Sequence, residues 1–286
     1  MNPPPEHNAW AGNAMKNELA ASGLSDRALQ GVRVMVTRPE SPADPLAGQL
    51  RALGAEVIAQ PAIRISDPPD WGPVDDALTR LDRFDWLVFS SANGVRYLLE
   101  RLRQIGAARQ IDRVKLAAIG PGTADELARY LLRADLVPEE FRAESLAKAL
   151  VREAPGRRCL LARASRGREV LAEQLAAAGA TVQQVVVYSS SDVETPDPHA
   201  AELLSSGRID WITVTSSAIA RSLVRLFGEA LRRGKLASIS PITSGVLREL
   251  GHEPAVEATE YTMAGLVAAI AGNPGMTPDA AKDTLG

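Results

Sequence analysis

Short apolar runs alternate with longer amphipathic segments along most of the chain. The apolar runs predict buried strands; they are Val34–Val36, Val57–Ile58, Trp86–Phe89, Leu116–Ile119, Leu160–Ala162 and Val182–Val187. Segments with apolar residues three or four positions apart predict helices; they are Ala43–Leu53, Gly94–Leu102, Thr123–Leu132 and Arg168–Ala178. Gly54 and Gly179 follow two of these helices and predict where they end. The alternation predicts an α/β fold with parallel sheets covered by helices on both faces.

The same pattern occurs twice in the chain. Three segments recur 125 positions later: Arg33–Arg38 as Arg158–Arg163, Gly54–Val57 as Gly179–Val182, and Asp85–Ser91 as Asp210–Ser216. A fourth, Lys115–Pro121, recurs as Lys235–Pro241 at an offset of 120. Four matches in one order at nearly one offset predict an internal duplication. Taken alone, the repeat divides the chain near residue 155.

The polar residues that mark the repeat lie in turns between a strand and the following helix. In a parallel sheet such turns meet at the carboxyl edge, where ligands bind. We therefore predict that the function lies in a cleft between the two copies. The candidate binding residues are Ser90, Ser91, Asn93, Thr123, Thr215, Ser216, Ser217 and Thr243. Helix capping alone is the alternative for each, although a capped helix N-terminus also attracts carboxylates and phosphates.

Two arginines and one tyrosine complete the set of candidates. Arg38 and Arg163 each end the first strand of their copy, and an arginine held there can bind a carboxylate through two hydrogen bonds. The alternative for both is a solvated surface arginine. Tyr188 lies near the end of an apolar strand. A core tyrosine is the ordinary interpretation, but its phenol is also a possible proton donor in catalysis.

Composition excludes several classes of function. The net charge of −3 and the pI near 5.8 argue against a general nucleic-acid-binding protein. One cysteine and three widely spaced histidines provide no zinc or iron–sulfur ligand pattern. No apolar run approaches the ~20 residues of a membrane span, and no signal-peptide pattern is present, so we expect a cytoplasmic protein. Residues 1–30 and 273–286 are expected to be mobile polar tails.

The ordered set of motifs resembles the uroporphyrinogen-III synthase family over about residues 31–270. The motifs that carry the resemblance are Val36-Thr-Arg-Pro39, Phe89-Ser-Ser-Ala-Asn-Gly-Val95, Ala118-Ile-Gly-Pro-Gly-Thr-Ala124, Gly167-Arg-Glu-Val-Leu171, Val186-Val-Tyr188, Thr215-Ser-Ser217 and Ala237-Ser-Ile-Ser-Pro-Ile-Thr243. One position departs from the family pattern. Ser240 stands where a glycine is commoner, and we expect it to alter the backbone of that loop.

The resemblance implies two similar parallel-sheet α/β domains joined by a two-stranded linker, with a cleft between them. Carried over to this chain, the crossings fall near 60–66 and 185–191. One domain then comprises residues 31–60 and 190–272, and the other comprises residues 61–189. The halves of the sequence are therefore not expected to be the halves of the structure.

The resemblance also implies a reaction without a cofactor or a metal. The family's substrate is hydroxymethylbilane, a linear tetrapyrrole with eight carboxylates. It loses water to give an azafulvene and closes through a spiro intermediate with ring D inverted. Tyr188 matches the family's linker tyrosine and is the candidate for assisting departure of the hydroxyl, while the turn residues and the two arginines are the candidate substrate binders. A monomer is expected.

Two alternatives come from other functional classes. A non-catalytic two-domain protein could close on an anionic ligand, such as a tetrapyrrole, as a sensor or carrier. A nucleotide-sugar transferase also has a two-domain α/β architecture. However, Gly120-Pro-Gly-Thr123 lacks the lysine of a phosphate-binding loop, and no Gly-x-Gly-x-x-Gly fingerprint occurs.

Overall fold

A computed structural model describes residue 25 and residues 27–39, 44–167 and 169–273. Within these ranges the chain forms two compact units. Unit 1 comprises the described residues up to Arg64 and from Asp192 onward, and unit 2 comprises Ile65–Ser191. The chain thus enters unit 2 within one strand and leaves it near the end of another.

Unit 1 is built on a five-stranded sheet. Its strands are β1 (Arg33–Val36), β2 (Glu56–Ala59), β8 (Trp211–Val214), β9 (Lys235–Ser238) and β10 (Val256–Glu257). They lie in the order β10-β9-β8-β1-β2 and are all parallel. Its helices are α1 (Pro45–Ala52), α7 (Pro198–Ser205), α8 (Ser217–Phe227), α9 (Pro241–Glu249) and α10 (Met263–Ala271). A short 3₁₀ helix covers Gly228–Arg233.

Unit 2 contains most of a second five-stranded sheet. Its strands are β3 (Ile63–Ser66), β4 (Trp86–Phe89), β5 (Lys115–Ala118), β6 (Arg158–Ala164) and β7 (Thr181–Asp192), in the order β3-β7-β6-β4-β5. The pairs from β7 to β5 are parallel. The helices are α2 (Gly72–Leu78), α3 (Ala92–Gln104), α4 (Pro121–Arg129), α5 (Ala143–Val151) and α6 (Val170–Ala177). Two 3₁₀ helices cover Leu81–Arg83 and Ala108–Arg113.

Alternate residues of β4, an inner strand of this sheet, belong to two different hydrophobic clusters. Leu87 and Phe89 belong to one cluster, and Trp86 and Val88 belong to the other. All four side chains are buried, as expected when a sheet is covered by helices on both faces. The predicted α/β class with parallel sheets is therefore confirmed.

Several predicted boundaries differ from the structure. The helix predicted over Thr123–Leu132 ends at Arg129, because Leu131 has a φ of 61° and an almost fully exposed side chain. Leu29, placed in the N-terminal tail, is fully buried, and its N–H donates to the carbonyl of Leu53 at 2.9 Å. Residues 1–24 and 26 of that predicted tail lie outside the described residues, as do 274–286, 40–43 and 168.

No helix in the described ranges is both long and apolar enough to cross a lipid bilayer.

The single cysteine tests the packing of the unit 2 core. Cys159 lies on β6 and is buried in the hydrophobic cluster that includes Trp86, Leu150 and Leu175, and burial raises the pKa of its thiol to about 11. Because only the thiolate reacts readily, we expect the native protein to resist a thiol reagent at neutral pH. Labelling should become fast when urea unfolds the chain. Rapid labelling at unchanged far-ultraviolet circular dichroism would contradict this account of the core.

Candidate functional site

The turn after β4 begins helix α3 and is organised by Ser91. Its backbone is extended, and its hydroxyl accepts a hydrogen bond from the N–H of Gly94 at 3.0 Å. Ser91 is therefore the N-cap of α3, as the capping alternative predicted. Ser90, the preceding residue, is exposed in the same turn. One residue of the predicted pair thus caps the helix, and the other faces solvent beside it.

Tyr188 reaches this turn because of an irregularity in β7. Arg163 lies opposite Val186 and Ala164 lies opposite Tyr188, so Val187 is an extra residue in the ladder. Such a bulge changes the alternation of side chains along a strand. Val187 and Tyr188 consequently belong to the same core cluster, although they are neighbours in sequence.

The phenol of Tyr188 is held on two sides. Its oxygen lies 3.0 Å from the hydroxyl of Ser91, and its ring stacks on Tyr97 with centroids 5.7 Å apart. The side chain is 7% exposed. Burial raises the pKa of Tyr188, and the hydrogen bond with Ser91 opposes this rise. A raised pKa keeps the phenol protonated at neutral pH, which is the state that a proton donor requires.

Asn93 takes part in an arrangement along the exposed side of α3. Its side-chain oxygen accepts a hydrogen bond from Arg96 at 3.1 Å. The guanidinium of Arg96 in turn lies 5.5 Å from the ring centroid of Tyr97, within cation–π range. The structure therefore joins Asn93 through Arg96 and Tyr97 to the Tyr188 ring.

Thr123 lies in the first turn of α4 and is 5% exposed. Its N–H donates to the carbonyl of Gly120 at 3.1 Å. Gly120 has no side chain to cap the helix, and Pro121 begins it. The strand-end turn after β5 thus begins its helix without a side-chain cap, and the predicted binder Thr123 is buried in the first turn.

The corresponding turns of unit 1 are capped by serines. Ser216 accepts a hydrogen bond from the N–H of Ile219 at 3.2 Å at the start of α8, and it is flanked by half-buried Thr215 and Ser217. Ser240 caps α9 by accepting from the N–H of Thr243 at 3.4 Å, and its hydroxyl lies 3.2 Å from that of Thr243. Thr243 itself is 2% exposed.

The expected change of backbone at Ser240 is wrong. Ser240 has φ −164° and ψ 160°, and Gly120 has φ −175° and ψ 179°. Both residues are extended, a conformation that any amino acid adopts, so the serine leaves the loop geometry as it is. Its effect is to add the side-chain cap that Gly120 cannot supply.

Arg38 and Arg163 already bind carboxylates of the chain itself. Arg38 lies 3.2 Å from Asp44, which caps α1, and Arg163 pairs with Glu169 directly before α6. Arg163 also donates to the side chain of Gln184 at 2.8 Å. The hydrogen bond with Arg163 lowers the pKa of Glu169. Each arginine is thus paired with an acidic residue at the start of the next helix, so neither is the solvated surface arginine of the alternative and neither is a free carboxylate receptor.

The comparisons with known proteins agree with one another. A family model described as "Uroporphyrinogen-III synthase HemD" matches residues 44–268. The chain belongs to the uroporphyrinogen-III synthase family. A uroporphyrinogen-III synthase of Synechococcus elongatus is 34% identical over 256 residues, which are 86% of this chain and 97% of the relative. A putative uroporphyrinogen-III synthase of Methanothermobacter thermautotrophicus is 30% identical over 82% of this chain and 96% of its own.

Two solved uroporphyrinogen III synthases share the fold. The structure of a mutant from the extremely thermophilic bacterium Thermus thermophilus has a TM-score of 0.58 at 21% identity, and it covers 82% of this chain and 96% of its own. The structure from Helicobacter pylori has a TM-score of 0.57 at 17% identity with the same coverages. The family predicted from the residue pattern is confirmed. The predicted enzyme class, a cyclising hydro-lyase of porphyrin biosynthesis, is also confirmed. The non-catalytic alternative is not favoured.

In this uroporphyrinogen-III synthase family member, two residues beside Tyr188 were not among the candidates predicted from the sequence. Arg96 and Tyr97 follow Asn93 by three and four positions, which places all three on one side of α3. That spacing could have indicated that Arg96 and Tyr97 lie beside Asn93. The contact of Tyr97 with Tyr188 could not be predicted from the sequence, because it depends on the bulge in β7 and on strands distant in sequence.

Proposed function

We propose that the chain closes hydroxymethylbilane to uroporphyrinogen III with Tyr188 as the proton donor. The observation that carries this proposal is the 3.0 Å hydrogen bond that holds the Tyr188 phenol at the capped N-terminus of α3. In that position a protonated phenol lies beside a helix end with partial positive charge, which suits a multi-carboxylate substrate.

The first chemical step is loss of water from the hydroxymethyl group of ring A. The pyrrole nitrogen supplies the electron pair, the carbon–oxygen bond breaks, and Tyr188 donates the proton that turns the departing hydroxide into water. The resulting protonated azafulvene is attacked by the substituted carbon of ring D, which forms the spiro intermediate. The older bond from that carbon to the ring C methylene then breaks, and the methylene rebonds to the unsubstituted α-carbon of ring D. The proton lost from that α-carbon balances the one that Tyr188 gave up.

Hydroxyl and N–H donors at the strand ends are proposed to hold the carboxylates. They are Ser90, Asn93, Thr123, Thr215, Ser216, Ser217 and Thr243, with Ser91 acting through the helix N-terminus that it caps and with Arg38 and Arg163 after exchange of their present partners. A hydrogen bond to a charged group contributes about 1.5–3 kcal/mol. Holding the flexible rings in a productive arrangement adds several kcal/mol, up to about 7–11 kcal/mol in the best cases.

We also infer that two domains arose by duplication and that β3 and β7 form the linker. Strand register supports the duplication. Arg33 lies opposite Glu56 in unit 1, and Arg158 lies opposite Thr181 in unit 2, with both residues of the pair displaced by 125 positions. Val34 opposite Trp211 likewise corresponds to Cys159 opposite Trp86, with Cys159 lying 125 positions after Val34 and Trp86 lying 125 positions before Trp211. The unit boundaries within β3 and near the end of β7 support the linker.

The activity is tested with freshly prepared hydroxymethylbilane. We expect the purified protein to yield mainly the type III isomer, separated from type I by chromatography after oxidation to the porphyrins. Heat-denatured protein should yield type I, because the free bilane closes without inversion. Tight binding of the bilane with only type I product would instead support the non-catalytic alternative.

A further inference from the structure

Ser91, the N-cap of α3, also contacts the hydroxyl of Tyr188. A hydrogen-bond chain runs from the N–H of Gly94 to the hydroxyl of Ser91 at 3.0 Å, and from Ser91 to the Tyr188 oxygen at 3.0 Å. We propose that Ser91 is a positioning residue that fixes the Tyr188 hydroxyl and donates to its oxygen as the phenol releases its proton. This inference rests on the proposed role of Tyr188 as the acid.

The atoms of Ser91 allow it to follow a change of charge on Tyr188. A serine hydroxyl has one proton to donate and two lone pairs that accept. The Gly94 N–H uses one lone pair, so Ser91 keeps its proton and its second lone pair for Tyr188, and either oxygen can be the donor while the phenol is protonated. When Tyr188 protonates the leaving hydroxyl, its oxygen becomes an anion that needs a donor. Ser91 supplies that donor, and its own acceptance from the helix N–H strengthens the bond.

The equivalent cap in unit 1 differs from the α3 cap in the residue that donates to its serine. Ser216 caps α8 by accepting from Ile219, the residue that corresponds to Gly94 at the 125-position offset. A serine cap therefore tolerates a large side chain at this place. At Gly94 an added Cβ would lie 3.3 Å from the Ser91 hydroxyl and 3.5 Å from the carbonyl of Ala162. A side chain at position 94 would therefore press on the Ser91 hydroxyl that bonds to Tyr188.

The other groups beside the Tyr188 phenol do not replace its hydrogen bond with Ser91. Tyr97 stacks on the Tyr188 ring, and an ionised Tyr97 would disfavour ionisation of Tyr188. Arg96 lies over the ring of Tyr97, also on α3. Of the groups that act on the pKa of Tyr188, burial and Tyr97 raise it and the Ser91 hydrogen bond lowers it. Removal of the serine hydroxyl should therefore make the proton harder to release.

The experiment compares Ser91→Ala with Thr262→Ala in the full chain. Thr262 caps α10 by accepting from Gly265 at 3.0 Å, so its loss reproduces the loss of a cap far from Tyr188 in sequence. The pKa of Tyr188 is read by fluorine NMR on protein labelled with 3-fluorotyrosine, with Tyr188→Phe used to assign the signal. We expect Ser91→Ala to raise this pKa by about 1 to 2, since a hydrogen bond to a charged group is lost. Thr262→Ala should leave it unchanged.

Kinetics give the second readout. Ser91→Ala should lower kcat about tenfold or more, Ser91→Thr should restore most of it by returning the hydroxyl, and Thr262→Ala should have no effect. In the Tyr188→Phe background, Ser91→Ala should cause no further loss of kcat. An unchanged Tyr188 pKa in Ser91→Ala would overturn the inference and leave Ser91 as a cap. Unchanged turnover in Tyr188→Phe would instead overturn the proposed acid and the catalytic purpose of Ser91 with it.

Discussion

We expect the Tyr188→Phe variant to convert hydroxymethylbilane about 10² to 10⁴ times more slowly than the unmodified chain, the usual contribution of a positioned general acid. The substitution keeps the ring that stacks on Tyr97 and removes only the oxygen that bonds to Ser91. Departure of hydroxide from ring A then has no protein proton to neutralise it. Because the rest of the site is retained, the loss should appear in kcat with little change in KM.

Tyr130→Phe is the matched control for this substitution. The Tyr130 hydroxyl donates a hydrogen bond to Glu100 at 3.3 Å on the surface of unit 2. Burial and nearby acidic groups raise the pKa of Tyr130 to about 12. The control therefore removes a phenol of raised pKa without touching the turn after β4. Turnover is measured by stopped assays on fresh substrate, with the folded state of both variants checked by circular dichroism. Equal turnover in the two variants would leave the Tyr188 phenol as a packing group.

The pH dependence of the same reaction follows from the raised pKa of Tyr188. A group whose pKa is raised in the folded state stays protonated to higher pH than its ordinary value of 10.0. The proton donor is therefore intact through the neutral range, and any loss of activity from its ionisation falls above pH 10. Stability changes in the same direction, because the unfolded tyrosine ionises first and draws the chain toward unfolding as the pH rises past 10.

Local patterns were sufficient for most of the regular structure. The strand predicted at Trp86–Phe89 begins and ends at the same residues as the observed strand β4, and all four residues are buried. Gly54 and Gly179 have φ values of 90° and 87°, as the predicted helix ends require. These features depend on neighbours in sequence, so periodicity and glycine placement were enough to find them.

Features that depend on distant partners were not predictable in this way. The bulge that turns Tyr188 toward Ser91 exists only in the pairing of β6 with β7. Leu29 looked like part of a polar tail, yet it is buried among apolar residues that include Leu53 and Leu266. Leu131 continued a helical pattern but is exposed, since the turn that ends α4 takes a left-handed backbone there.

The sequence supplies candidate site residues, which stay predictions, but not the contacts that these residues make. Ser91, Ser216 and Ser240 all cap helices, and the sequence could not separate capping from binding. The partners of Arg38 and Arg163 lie six positions further along the chain, at the start of the following helix. Such pairs need the turn geometry, because residue spacing alone does not bring the two side chains together.

The second large effect is expected at Gly265, in the first turn of α10. A Cβ added there would lie 2.1 Å from the carbonyl oxygen of Glu260, far inside van der Waals contact. The obstacle is backbone, so it cannot be relieved by rotation of a side chain. Either the turn before the helix or α10 itself must shift, and Leu266, Val267 and Ile270 of that helix are buried in the unit 1 core.

Gly265→Ala should therefore destabilise the protein by about 1–3 kcal/mol or more, the range found for overpacked cores. Gly245→Ala is the matched control, because Gly245 lies within α9 and an added Cβ there meets no atom within 4 Å. Alanine is the better helix former by about 0.8–1.0 kcal/mol, so the control should become more stable. Urea unfolding followed by circular dichroism measures both, with Thr262→Ala included to show the loss of the α10 cap alone. Shifts of the same sign in the two glycine variants would contradict the steric account, since helix propensity acts alike at both positions and only the Glu260 carbonyl distinguishes them.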